Sequence, residues 1–207
     1  MGCAGSAPAK AGADGGEPIN PQAARQNAAV TEPTKSHQLG SESGISLRYA
    51  CISERGYNPD DLFEANQDAY AAVKAGADKE DMLLSVFDGH GEEGTACAQY
   101  LKREFGSTFD RMMKKFPDDP TVVCKESMLA LNMQLRSCDE ADAAYSGATA
   151  IVAWFRGSEM HVANVGDCRA VLGERRGTRT IAYALSVDHT PCEHATLALH
   201  AAAAPHH

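Results

Sequence analysis

The run Leu83-Leu84-Ser85-Val86-Phe87-Asp88-Gly89-His90-Gly91 constrains the fold more than any other part of this chain. An apolar stretch ends abruptly in a carboxylate, a glycine, a histidine and a second glycine. That pattern predicts a buried strand with polar chemistry at its tip. The Asp88 carboxylate suits a hard metal ion, which prefers oxygen ligands. Gly89 lets the backbone turn sharply and brings a bare carbonyl close to a ligand. His90 exchanges a proton near neutral pH with little tuning. Together they point to metal-assisted hydrolysis more than to packing.

The rest of the middle of the chain reads as strands and helices around that run. Ile45, Leu47, Tyr49 and Cys51 alternate with polar residues, as in a half-buried strand. Residues 68–74 and 82–87 read as two further strands, joined by a hairpin over 76–81. Leu101, Phe105, Phe109, Met112 and Phe116 step by three and four, one face of a helix, with Pro117 and Pro120 punctuating its end. A second helix is expected over 121–138, where Cys124, Met128, Leu131 and Leu135 repeat the spacing. Both stripes are core faces. Strands are expected again at 148–155, 160–165, 168–172 and 180–187. Strands, two helices and more strands with short connections predict α+β layering. No internal repeat is seen, and 207 residues suffice for one domain with a sizeable core.

The two ends differ from this middle. Residues 1–44 lack Phe, Trp and Tyr and are rich in Ala, Gly, Pro, Ser and Gln, so they read as a disordered tether. They open Met1-Gly2-Cys3-Ala4-Gly5-Ser6, the pattern for myristoylation of Gly2, with Cys3 placed to take a second acyl chain. Two chains anchor a protein stably where one does not. The expectation is a cytoplasmic protein held on the cytoplasmic face of a membrane. Residues 192–207 form an irregular, low-complexity tail with four consecutive alanines and a terminal histidine pair. The domain is expected over 45–191, between these two ends.

Charge and cysteines narrow the function classes. The net charge is −9, with no basic cluster of the kind nucleic acid requires. Seven cysteines, an odd number with no C-x-x-C pair, argue against a disulfide framework and for a reducing compartment. No run of 18 apolar residues exists to form a membrane span.

Chemistry concentrates at four strand-end positions, Asp68, Asp88, His90 and Asp167. Carboxylates on rigid strands can fix two hard cations about 3.5–4 Å apart, which activate water and neutralise phosphoryl charge. His90 is placed to protonate a leaving oxygen. Four ordered segments, Ser85–Gly91, Ser146–Ala150, Asn164–Ala170 and Leu185–Pro191, together resemble the motifs of the metal-dependent protein serine/threonine phosphatases of PPM type (type 2C). The resemblance runs from about Ser46 to Pro191. It implies a β-sandwich of two antiparallel sheets flanked by helix pairs, a four-layer α-β-β-α arrangement, here without its C-terminal part. It implies hydrolysis of phosphoserine and phosphothreonine in proteins by metal-activated water, with two Mg2+ or Mn2+ ions and a third held weakly.

Carried over position by position, Asp88 matches the aspartate that bridges the two ions and Gly89 the residue giving a carbonyl. Asp68 matches the acidic residue closing the first motif, His90 the general acid, and Asp167 the ligand of the further ion. Phosphoproteins are the expected partners, the membrane surface is met through Gly2 and Cys3, and a monomer is expected. Three departures stand out. Gln67 occupies a place where many members carry Glu, Phe63 stands where many carry a phosphate-gripping arginine, and two later aspartates are missing. Arg55 is the remaining candidate for that grip. The alternative is a catalytically inactive fragment that acts as a binding module.

Overall fold

Alternation along one strand sets the architecture. In the computed structural model, which describes residues 30–40, 43–57, 59 and 65–190, the odd-numbered residues Leu83, Ser85, Phe87 and Gly89 are all buried. They face two helices, while Val86, Asp88 and His90 emerge on the other side. A two-residue period on a strand with one covered face produces this split.

Eleven strands are described: β1 (Val30–Thr31), β2 (Lys35–Leu39), β3 (Ile45–Tyr49), β4 (Ile52–Ser53), β5 (Asp68–Ala75), β6 (Asp81–His90), β7 (Gly147–Ala148), β8 (Ala150–Arg156), β9 (Glu159–Val165), β10 (Val171–Arg176) and β11 (Arg179–Ala184). Helices α1 (Gly94–Lys115) and α2 (Pro120–Ser137) lie between β6 and β7. The principal sheet has five strands in the order β5-β6-β8-β9, with β7 also paired to β6. Every pairing is antiparallel. Three two-stranded pairs, β1-β4, β2-β3 and β10-β11, complete the described residues. The α+β class and the antiparallel sheets are as expected.

The core lies between the principal sheet and the helix pair. Phe87 meets Phe105 edge-on at 5.6 Å, and Phe105 meets Phe109 at 4.8 Å. Leu83, Val152 and Trp154 from the sheet and Val123 from α2 are fully buried with them. Burying an aromatic or branched side chain contributes about 1.5–3 kcal/mol each. This cluster therefore fixes the sheet against α1. Trp154 is anchored at its polar end as well, its Nε1–H donating to Asp81 at 3.0 Å.

The structure differs from the expectation in four places. Helix α1 begins at Gly94, seven residues before Leu101, because Cys97 and Ala98 continue the buried stripe with small side chains. Pro120 opens α2 instead of closing α1. Asp119 caps the helix by accepting from the Val122 N–H at 3.0 Å, and proline suits the first helical position. Strand β10 starts at Val171, because Cys168 to Ala170 are drawn into the turn that follows Asp167. Strands β1 and β2 fall inside the stretch read as tether. There, His37 and Leu39 alternate inward and β3 supplies five residues of backbone pairing, so no aromatic is needed.

Candidate functional site

Asp68 and Asp88 are Cα partners in the final pair of the β5–β6 ladder. Both side chains project from the sheet face opposite the helices, as their neighbours Ala69 and Phe87 are buried on the helix side. Residues directly opposite on one face have Cβ atoms about 4.5–5.5 Å apart. Partial burial, then the Asp88 charge, push the Asp68 carboxyl above its usual range. Two acids held this close resist losing both protons, and a cation relieves the conflict.

Strand β6 does not stop at Asp88. It runs on through Gly89 and His90, paired with Ala148 and Gly147 of β7. A Cβ on Gly89 would lie 2.3 Å from the Gly94 carbonyl oxygen and 2.6 Å from that of Gln67, so no side chain fits. The absent side chain is what lets α1 begin directly against the strand. His90 follows Asp88 by two positions, which puts it on the same face. Its ring lies over Gly147, where a Cβ would come within 3.0 Å of Nε2.

Asp167 arrives from another part of the chain. Gly166, at φ +101°, turns β9 into it and packs so tightly on Thr149 that a Cβ would sit 2.6 Å from the threonine methyl. The Thr149 N–H donates to the Asp88 carbonyl at 2.8 Å, and its hydroxyl lies 2.9 Å from the Cys168 sulfur. Thr149 thus ties the Asp88 strand to the Asp167 turn. Burial pushes the Cys168 thiol up, the Thr149 hydrogen bond opposes this, and the charges of Asp88, Asp167 and Asp68 add to the rise. All three aspartates therefore lie within electrostatic reach of one sulfur atom.

The turn is braced from below. The Arg169 guanidinium forms a fork with the Asp188 carboxylate at 3.0 and 2.5 Å. That contact holds the Asp188 carboxyl below the ordinary carboxylate range. The His189 N–H donates to the Gly166 carbonyl at 2.8 Å, and the Asn164 amide donates to the Val187 carbonyl at 3.0 Å. The last two sequence motifs are in this way one structural unit.

The structure thus brings Asp68, Asp88, Gly89 and His90 to the end of the β5–β6 ladder and ties the Asp167 turn to it through Thr149. Among the described residues, no group of three or more His, Cys, Asp or Glu side chains stands close enough to enclose an ion. The donor types nonetheless suit a hard divalent cation, since two carboxyl groups stand opposite each other on one rung of the sheet. Gln67 donates its side-chain N–H to the Gly91 carbonyl at 2.8 Å, a bond an ionised glutamate could not make. Sequence reading missed Thr149 and the Arg169–Asp188 fork, although both sit inside quoted motifs. Gly2, Cys3, Phe63 and the 192–207 tail lie outside the described residues.

The chain also matches known proteins in sequence. The family model described as protein phosphatase 2C matches residues 57–195. The chain is 36% identical over 154 residues to a protein named probable protein phosphatase 2C 35 from Arabidopsis thaliana, covering 71% of this chain and 42% of that one. It is 29% identical over 175 residues to probable protein phosphatase 2C 4 from Paramecium tetraurelia, covering 78% and 54%. The chain thus spans about a third to a half of the curated relatives it matches. Among solved structures it is similar to the PPM Ser-Thr phosphatase MsPP from Mycobacterium smegmatis, at 19% identity and TM-score 0.42, covering 78% of this chain and 53% of that one. It is also similar to a serine-threonine phosphatase 2C from Toxoplasma gondii, at 17% identity and TM-score 0.44, covering 55% and 42%.

Proposed function

The chain belongs to the protein phosphatase 2C family, and from that membership we propose that it serves the hydrolysis of phosphoserine and phosphothreonine in proteins, dependent on Mg2+ or Mn2+. The observation that carries the reading is the Asp68–Asp88 pair, two carboxyl groups placed opposite each other on the last rung of the β5–β6 ladder. Asp68, Asp88 and the Gly89 carbonyl are the proposed ligands of two divalent ions, with Asp167 serving a third. Such ions, when bound, lower the pKa of a coordinated water and neutralise phosphoryl charge.

The chain's own groups have separate tasks. The Asp pair and the Asp167 turn would hold the ions at the exposed face of the sheet, where a phosphoryl group would meet them. An imidazole nitrogen of His90, on that face, delivers a proton to the serine or threonine oxygen as its bond to phosphorus breaks. Thr149 keeps the two halves of the site in register by gripping the Asp88 carbonyl.

The test is phosphate release from a phosphothreonine peptide with added Mn2+, wild type beside Asp88→Asn. Wild-type turnover that falls about 100-fold or more in the variant supports the reading. Equal and negligible turnover in both would end it and leave the binding-module alternative.

We also propose dual acylation at Gly2 and Cys3, which places the protein on the cytoplasmic face of a membrane through two chains. The Met1–Ser6 pattern supports it. Gly2→Ala releases the protein into the soluble fraction if this is right, and unchanged partition rejects the anchor.

A further inference from the structure

We infer that Gln67 is a positioning residue for the proton donor, holding His90 in a fixed place relative to the Asp68–Asp88 pair. The inference rests on the phosphatase reading above, and in particular on His90 as the acid. Gln67 reaches the chain on both sides of that histidine. Its carbonyl accepts from the Gly89 N–H at 3.3 Å, and its side-chain N–H donates to the Gly91 carbonyl at 2.8 Å. One residue therefore brackets His90, and the same residue directly precedes Asp68.

The packing around position 67 is shaped to this clamp. A Cβ on Gly89 would lie 2.6 Å from the Gln67 carbonyl oxygen, and a Cβ on Gly94 would lie 2.8 Å from Gln67 Oε1. Both places are glycine, so the backbone and the amide of Gln67 rest against bare main chain. Gly91, at φ +83°, is confined on another side, where a Cβ would come within 2.6 Å of the Ser146 hydroxyl oxygen and the Tyr145 carbonyl oxygen. Helix capping does not account for the Gln67 amide. The groups left without partners at a helix start are N–H groups, and this amide donates to a carbonyl that already accepts from the Gly94 N–H at 3.2 Å.

The consequence is geometric. His90 is exposed on the face that carries Asp88, with its ring over Gly147. A general acid must come within about 2.6–3.2 Å of the oxygen it protonates. A displacement of about 1 Å can cost about 100-fold in rate. Gln67 ties the His90 turn to the strand that carries Asp68, and its neutral amide does so without adding charge beside two acids.

The test compares Gln67→Met, which keeps the side-chain length and loses the donor, with His90→Ala and the double variant, in the full chain with Mn2+. Two substrates separate the proton donor from the ions. A phosphothreonine peptide leaves through an alkoxide that needs a proton, whereas p-nitrophenyl phosphate leaves through a phenolate that does not. The ratio of kcat on the peptide to kcat on the aryl ester should fall about tenfold in Gln67→Met and about 100-fold in His90→Ala. In the His90→Ala background, Gln67→Met should lower the ratio less than about twofold further, because the two residues act as one unit. In the metal-free protein, amide hydrogen exchange at Gly89 should speed about fivefold in Gln67→Met, with Val152 little changed, which reads the clamp without turnover. A ratio that falls in His90→Ala and not in Gln67→Met overturns the inference and leaves the phosphatase reading standing. So does an equal loss on both substrates in Gln67→Met, full additivity in the double variant, or equal acceleration of exchange at Gly89 and Val152. No fall of the ratio in His90→Ala, or no wild-type turnover, refutes His90 as the acid and takes the inference with it.

Discussion

Asp68 and Asp88 stand opposite each other on the last rung of an antiparallel ladder, both on the sheet face away from the helices. Neighbouring β strands ordinarily avoid like charges at such a rung. The arrangement places two acids where the proposed divalent cation would relieve their repulsion, so that binding would be linked to folding. Mn2+ at about 100 times its dissociation constant should add about 2.7 kcal/mol to stability. For a domain of this size that is a rise of about 5–10 °C in Tm. Differential scanning fluorimetry with Mn2+, then with EDTA, reads the shift and its reversal. Asp88→Asn should lose most of the increment, and an equal shift in the variant would place the ions elsewhere.

Gly89 makes a sharper structural demand. A methyl group there meets two backbone oxygens, Gly94 O at 2.3 Å and Gln67 O at 2.6 Å, and neither is on a flexible side chain. Either β6 or the start of α1 must move. Gly89→Ala should therefore cost about 3 kcal/mol in urea unfolding, the upper end of ordinary overpacking. It should also abolish the phosphatase activity proposed above, because the carbonyl shifts. Gly56→Ala is the control: nothing lies within 4 Å of its Cβ position. Its stability should stay within about 0.5 kcal/mol of wild type.

Much of this was legible in the sequence because the signals were periodic. The α1 stripe Leu101, Phe105 and Phe109 named its own buried face, and the apolar run of β6 read as a buried strand. The strand containing Asp88 was legible, but its end was not. Gly89 and His90 look like a turn, yet they extend the strand because β7 offers two more residues of pairing. Strand β2 carried too weak a pattern, since His37 and Leu39 are its only inward side chains. Thr149 illustrates the remaining gap. Its part depends on contacts with Asp88, Gly166 and Cys168, and a threonine in a strand has no periodic signature that would reveal them.

Trp154 and Asp81 supply a test of the core away from the site. The indole is fully buried and its Nε1–H has the Asp81 carboxylate as acceptor at 3.0 Å. Asp81→Ala leaves that donor without a partner and should cost about 1–3 kcal/mol. Asp81→Asn keeps an acceptor and should cost less. The two states of the residue also predict a pH signature. Burial, the largest influence, raises the Asp81 carboxyl above its usual 3.8. The unfolded chain therefore ionises first, and this group's contribution falls as pH rises through and above 3.8. Urea midpoints measured between pH 3.5 and 6.5 should show Asp81→Asn gaining on wild type as pH increases. A constant difference would mean the carboxyl titrates alike folded and unfolded.

The Arg169–Asp188 fork predicts the opposite slope. The guanidinium hydrogen bond is the main cause that holds the Asp188 carboxyl low, so the folded protein binds this proton more weakly than the unfolded chain does. The stabilisation is present above the usual 3.8 and is lost as pH falls through the lowered folded value. Arg169 is exposed while Asp188 is largely covered, and the solvent at the guanidinium keeps the gain in overall stability small and salt-sensitive. Its local effect is larger, because the fork and the His189-to-Gly166 hydrogen bond close the same loop behind Asp167. Arg169→Ala should speed amide hydrogen exchange at His189 at pH 7, with little change at Val152 in the core. Lysine at position 169 should restore only part of the protection, since an ammonium cannot form the two-pronged contact. Exchange at His189 that is the same in wild type and Arg169→Ala would show that the loop is held by its backbone bonds alone.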